Sequence, residues 1–155
     1  MNSKRHLDSV ARQLIPKCSD DQVIIVGHSA GAAAGSWIAR RLLKANINLI
    51  GIIMVDGNDS PNKLIEQSWS DLSNLPVIGV LAPPSPCNRQ GRLEQFLKNH
   101  DAEEIHIIDH SGHGDIEMTD SKMYARVCGD ESTQQTKTLV LHTTIQAIES
   151  LLTRN

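Results

Sequence analysis

Aromatic side chains, clustered basic residues and long apolar runs are all scarce in this chain. Phe, Trp and Tyr together make up 3 % of its 155 residues, and the formal net charge is -3, with lysines and arginines scattered along the chain. A nucleic-acid-binding surface needs basic clusters and, for single strands, aromatic stacking platforms. No run approaches the roughly 18 apolar residues of a membrane-spanning helix. We therefore expect no nucleic-acid partner, no transmembrane segment, and a small-molecule partner.

The three cysteines lack both the C-x-x-C spacing and the nearby histidines that a structural zinc site needs, so we expect no metal. Cys87 follows a proline-rich turn and Cys128 lies in a late loop. They form a disulfide if they meet in space in an oxidising compartment, and otherwise remain thiols. The N-terminal segment MNSKRHLDSVARQL lacks the apolar core of a signal peptide. The default location is therefore cytoplasmic, unless an export signal precedes residue 1.

Short runs rich in β-branched residues alternate with segments of helical spacing. The runs DQVIIVG, NLIGIIMVDG, LPVIGVLAP and EEIHIIDH predict four strands of a mostly parallel sheet, the first buried on both faces. Helical spacing precedes and follows the first strand, precedes the fourth, and returns in the tail TKTLVLHTTIQAIESLL. The polar stretch between the second and third strands has turn signals at 59–61. The pattern predicts a three-layer α/β fold in a single domain, residues 1–155.

The pentapeptide Gly27-His28-Ser29-Ala30-Gly31 has the pattern G-x-S-x-G between a buried strand and a helix. In this context Ser29 occupies a strained turn that presents its hydroxyl above the strand ends. We expect Gly27 and Gly31 to be required, because a Cβ at either position would collide with the neighbouring strand or helix. The Ala30 N–H at the helix N-terminus would stabilise an oxyanion. The alternative is a Gly-Ser turn in which Ser29 only caps the helix.

A serine hydroxyl is a weak nucleophile until a base takes its proton, so a histidine is expected from a distant loop. His113 lies between Gly112 and Gly114 just after the fourth predicted strand, where a tight loop can aim the imidazole across the strand ends. His110 is its rival and would face the sheet instead. His28, at the variable position of the pentapeptide, is a candidate to line the pocket.

The carboxylate that orients the histidine is expected at the carboxyl end of another strand. The loop after the third strand, PPSPCNRQG, contains no Asp or Glu, and its Asn88 would orient a histidine more weakly. Asp56 ends the second strand and is the preferred acid, and Asp59 in the same loop is the runner-up. For either residue, the alternative is a turn-forming role without chemistry.

The chain resembles the C-terminal half of the α/β-hydrolase superfamily. The resemblance lies in three segments: GHSAG as the nucleophile elbow, which is the turn that carries the reactive serine, MVDG after the following strand, and SGHGD as the histidine loop. The position of the acid and the loop PPSPCNRQG are similar to the chlorophyllase and platelet-activating-factor acetylhydrolase branch. The resemblance implies a serine esterase with a Ser29, His113 and Asp56 triad and an acyl-enzyme intermediate. It also implies a small-molecule or lipid-like ester as substrate, and no metal or other cofactor.

The resemblance also implies several strands before the elbow strand and an early loop that donates the first oxyanion N–H. Only about 22 residues precede the elbow strand here, so we expect the N-terminal strands to be absent. The chain would then be a fragment, have a misassigned start, or form a homo-oligomer through its exposed sheet edge. Two other functions stay open: a catalytically impaired binding remnant, and an acyltransferase with the same triad. Arg89 and Arg92 either bind an acidic substrate group or only solvate a helix.

Overall fold

Four parallel strands form one sheet whose spatial order follows the chain. The computed structural model describes residues 4–118, 122–129 and 132–154. Its strands are β1 (Val23–His28), β2 (Leu49–Val55), β3 (Val77–Leu81) and β4 (Glu104–Ile107), paired in the order β1-β2-β3-β4. Every pairing between neighbours is parallel, so all four carboxyl ends lie at one edge of the sheet. The predicted α/β class with about four mostly parallel strands is confirmed.

Helices surround this sheet in the described part of the chain. They are α1 (Lys4–Leu14), α2 (Ala30–Leu43), α3 (Leu64–Leu72), α4 (Arg92–Lys98), α5 (Lys122–Cys128) and α6 (Gln134–Thr153), with 3₁₀ turns at Ile15–Lys17 and Asp115–Glu117. The sequence predicts only turns at the start of the stretch that contains α3. Asp59 explains the helix, because its carboxylate accepts the Ile65 and Glu66 N–H groups at 3.0 and 3.3 Å. These bonds satisfy amides that lack partners at a helix start. None of the described helices is both long and apolar enough to cross a bilayer.

The two faces of the sheet carry different helices. Right-handed crossovers between strands in sequential order place α2, α3 and α4 on one face, where their apolar residues pack with those of α1, β2 and β3. Helix α6 covers β2 and β3 from the other face, where Val140, Ala147 and Leu151 are buried against both strands. A Cβ at Gly51 of β2 would lie 2.5 Å from Leu151 Cδ1, so glycine permits this close approach. All residues of β2 and β3 are consequently buried.

Strand β1 is an edge strand, and the prediction that it is buried on both faces is wrong. It pairs with β2 on one side, and no described strand pairs with the other. Val26 is 46 % exposed, and four of the other five residues of the strand are only partly buried. Helix α6 itself exposes Leu141, Ile145 and Leu152. The apolar run thus predicted the strand correctly, and the exposed sheet edge that we expected is at β1.

A disulfide connects the loop after β3 to the end of α5. Cys87 and Cys128 are bonded, with their Cα atoms 5.2 Å apart, and Cys18 is a free thiol. Of the two alternatives that the sequence left open, the structure has the disulfide. The cross-link ties the loop after β3, at the carboxyl edge of the sheet, to α5.

Candidate active site

The turn between β1 and α2 holds Ser29 in a backbone conformation that L-residues rarely adopt. Its φ is 53° and its ψ is -126°, a conformation that costs about 1–3 kcal/mol. Three backbone hydrogen bonds hold the turn in place. The Ser29 N–H donates to Val55 O at 3.1 Å, and Ser29 O accepts the N–H groups of Ala32 and Asn58 at 3.1 and 3.0 Å. The turn is therefore anchored to β2 and to the loop that follows it.

The two glycines of the pentapeptide differ in the space that is available for a side chain. A Cβ at Gly27 would lie 2.6 Å from Gly31 O and 2.8 Å from Ala32 Cα, so no larger residue fits between the strand and the helix. A Cβ at Gly31 would meet no described atom within 4 Å. The steric prediction is confirmed for Gly27 and wrong for Gly31. The close approach is between Gly27 and the Gly31 backbone, and removing one Cβ is enough to allow it.

Three loops bring Ser29, His113 and Asp56 into one hydrogen-bonded chain. His113 Nε2 lies 2.9 Å from Ser29 Oγ, and His113 Nδ1 lies 2.5 Å from Asp56 Oδ2. In the neutral imidazole whose Nδ1–H donates to the carboxylate, Nε2 accepts the hydroxyl proton of the serine. His113 and Asp56 are 6 % and 4 % exposed, so water hardly competes for these bonds.

The two rival residues lie elsewhere. His110 is exposed and lines a different cavity, together with the proline-rich loop after β3. Asp59 uses both carboxylate oxygens on backbone N–H groups in the loop after β2 and at the start of α3. The structure thus places neither of them on the serine, and gives Asp59 the local capping role described above.

Asn88 is a member of the site whose role the sequence analysis missed. It is 2 % exposed, and its Nδ2 donates to Asp56 Oδ1 at 3.0 Å, beside the Ala82 N–H at 3.1 Å. Its own Oδ1 accepts the N–H groups of Ser85 and Gly91 at 2.8 and 3.0 Å. Asn88 therefore holds the Asp56 carboxylate in place. The available signal was a polar residue in a loop with no acid of its own, at the carboxyl end of the neighbouring strand.

The His28 side chain contacts the backbone of the loop that carries His113. Its Nε2 lies 2.7 Å from His113 O, as a donor to that carbonyl, and its Nδ1 lies 3.3 Å from Glu117 Oε1. Asp115 closes the same loop by accepting the Gly112 N–H at 3.1 Å. His28 is not among the residues that line the cavity beside Ser29. Its geometry is that of a residue that fixes the backbone of His113.

A cavity of about 290 Å³ opens beside Ser29. It is lined by Ser29, Ala30, Ala33, Ala34, Leu64 and Arg89, and by residues 58–62 of the loop after β2. The Ala30 N–H is the first amide of α2 and makes no backbone hydrogen bond among the described residues. It lies where the dipole of a 14-residue helix adds positive potential. An oxyanion formed at Ser29 would find a donor at this amide.

No protein-family model matches the chain, and no curated protein matches it. The likeness to α/β-hydrolases therefore remains a resemblance carried by motifs. Within residues 4–118, 122–129 and 132–154, no group of three or more His, Cys, Asp or Glu side chains could hold a metal ion.

Proposed function

We propose that this chain is a serine hydrolase of esters or related acyl compounds, with Ser29 as nucleophile, His113 as base and Asp56 as the acid. The hydrogen-bonded chain from Ser29 Oγ through the imidazole to the carboxylate carries this proposal. A serine that only capped α2 would accept a hydrogen bond from an amide of that helix, and the Ser29 side chain makes no such bond.

In this proposal each of these residues has a defined role in the reaction. Ser29 Oγ attacks the acyl carbonyl while its proton passes to His113 Nε2, and Asp56 stabilises the imidazolium that forms. The Ala30 N–H donates to the oxyanion of the tetrahedral intermediate. His113 then protonates the leaving alcohol, which departs from the acyl-enzyme. The imidazole next takes a proton from water, and the resulting hydroxide attacks the acyl carbonyl. As the bond from that carbon to Ser29 Oγ breaks and the acid leaves, the imidazolium returns the proton to Ser29 Oγ.

The test is labelling with a fluorophosphonate, measured by intact mass on protein shown to be folded by circular dichroism. We expect one adduct on the wild type and none on Ser29→Ala. His113→Ala should react far more slowly, because no base takes the proton. Ser73→Ala, an exposed serine at the end of α3, is the matched control and should react like the wild type. Persistence of the adduct in Ser29→Ala, or no reaction of folded wild type, would refute the proposal and favour the binding remnant.

Product analysis separates hydrolysis from acyl transfer. With a 4-nitrophenyl ester in buffer that contains a primary alcohol, a hydrolase releases mainly the free acid. An acyltransferase with the same three residues releases mainly the new ester.

The proposed partner at the outer edge of β1 is a second copy of the chain. The strand contains no Pro, Lys or Asp, which are residues that natural edge strands use to prevent pairing. Exposed apolar side chains would add area to such a contact, namely Val26 on β1 and Leu141, Ile145 and Leu152 on α6. Light scattering after size exclusion should give a dimer mass, and Val26→Lys should give a monomer. A monomeric wild type at all concentrations would overturn this assignment.

A further inference from the structure

The cavity beside Ser29 combines an apolar floor with a basic side chain. Three alanines of α2 and Leu64 supply the floor, and Asp59 and Arg89 are the charged residues in the lining. The Asp59 carboxylate already accepts three backbone N–H groups, two of them from the start of α3. Arg89 has no ion pair or side-chain hydrogen bond among the described residues. Its guanidinium is therefore the charged group of this cavity that is free to meet a ligand.

The backbone of Arg89 is held in place by its loop. Arg89, Gln90 and Gly91 have φ values of 53°, 58° and 71°, three consecutive left-handed residues. The left-handed conformation costs about 1–2 kcal/mol for each residue that is not glycine. The disulfide at Cys87 and the buried Asn88 amide maintain it from within the same loop. Strained residues of this kind persist where the surroundings fix them, and they cluster at ligand sites.

A second cavity continues from the first, away from Ser29. It has a volume of about 560 Å³ and shares Asp59, Ser60, Pro61 and Arg89 with the first cavity. Arg92, in the first turn of α4, also lines it and has no ion pair among the described residues. Arg89 thus lies at the junction of the two cavities, and Arg92 lies beyond it. The lining of this second cavity also contains Asp59 and the Lys63–Glu66 ion pair, whose two charges offset each other. With Arg89 and Arg92 included, the charged residues that line it have a net positive charge.

We infer that Arg89, assisted by Arg92, forms a subsite for a carboxylate of the substrate. The substrate is then an ester whose carboxylate lies several bonds from the scissile carbonyl. The inference rests on the proposed hydrolase function and adds the class of substrate. Of the two roles that the sequence left open for these arginines, ligand binding is favoured by the position of Arg89 beside Ser29.

Matched pairs of esters test the subsite. The first pair is 4-nitrophenyl hydrogen adipate and 4-nitrophenyl hexanoate, which differ by a terminal carboxylate on the acyl chain. The second pair is 4-acetoxybenzoate and its methyl ester, which place the same difference on the leaving group. For each pair we measure the ratio of kcat/KM for the anionic ester to kcat/KM for the neutral ester. Spontaneous hydrolysis is subtracted in every case.

Wild type is expected to prefer the anionic ester in at least one pair. Arg89→Ala should lower that ratio about three- to tenfold, mainly through KM, which is the size expected for a partly exposed charge contact. Arg89→Lys should retain part of the preference, since it keeps the charge but loses the bidentate geometry. Arg5→Ala removes a positive charge from the exposed face of α1 and should leave the ratio unchanged. About 0.5 M NaCl should reduce the preference of the wild type.

The outcomes separate this inference from the proposal on which it rests. If fluorophosphonate labels the wild type and neutral esters are cleaved, but Arg89→Ala leaves both ratios unchanged, the subsite is wrong and the hydrolase stands. If the folded wild type neither reacts with the probe nor cleaves any of the four esters, both are wrong. A ratio that falls equally in Arg5→Ala would show only the effect of net charge and would also overturn the subsite.

Discussion

Replacing Asn88 by alanine should lower both the free energy of unfolding and the turnover of esters at the candidate site. The amide donates to Asp56 Oδ1 at 3.0 Å and to Pro83 O at 2.8 Å, and it accepts the N–H groups of Ser85 and Gly91. Losing a hydrogen bond to a charged group costs about 1.5–3 kcal/mol, and a buried N–H left without an acceptor costs about 1–3 kcal/mol. A water that enters the vacated space recovers part of this sum. The expected loss in the free energy of unfolding is about 3 kcal/mol.

Urea unfolding followed by circular dichroism, with the disulfide intact, measures this loss. With a slope of about 1–3 kcal/mol/M, the midpoint should fall by about 1–3 M urea. The matched control is Asn48→Ala, since Asn48 is exposed and far from the site, and it should stay within about 0.5 kcal/mol of the wild type. Ester turnover by Asn88→Ala should also fall by roughly 10- to 100-fold, because a displaced Asp56 no longer orients the imidazole. If both variants unfold at the same urea concentration, the amide does not hold the carboxylate.

Three further predictions concern the elbow, the pH dependence of stability and the disulfide. Gly27→Ala should lower the melting temperature, because its Cβ would meet Gly31 O at 2.6 Å. Gly31→Ala should have a melting temperature equal to or above that of the wild type. Equal melting temperatures for the two variants would contradict the steric argument. The hydrogen bond from the Trp37 indole lowers the pKa of Asp8, so the stability that this carboxylate contributes is present above its unfolded pKa and is lost as pH falls through the folded value. The stability difference between wild type and Asp8→Asn in urea titrations should therefore shrink from pH 6 to pH 3, and a constant difference would argue against this role. Reducing the Cys87–Cys128 disulfide, with a sequence separation of 41, should cost about 4 kcal/mol, and a loss below about 1 kcal/mol in reductant would show that the loop is held by other contacts.

The choice between Asp56 and Asp59 as the partner of His113 shows the limit of prediction from sequence. Asp56 and Asp59 lie in one loop, and turn chemistry suits either residue. They differ in what lies beside them in space. Asp56 follows the end of β2 directly and meets His113 from the loop after β4, while Asp59 lies next to the amides at the start of α3. Asn88 illustrates the same limit, since no local pattern states that its amide reaches the carboxylate of a neighbouring strand.

The sequence by itself determined the features whose physical causes are local. Runs of β-branched residues predicted the strands, and the pentapeptide around Ser29 predicted a strained turn, because steric rules act between residues close along the chain. Only the tertiary structure decided that Asn88 donates to Asp56, that Asp59 accepts amides at the start of α3, and that Cys87 and Cys128 meet. These outcomes depend on which segments come together at the carboxyl edge of the sheet, and that is a property of strand order and crossover direction rather than of any one segment.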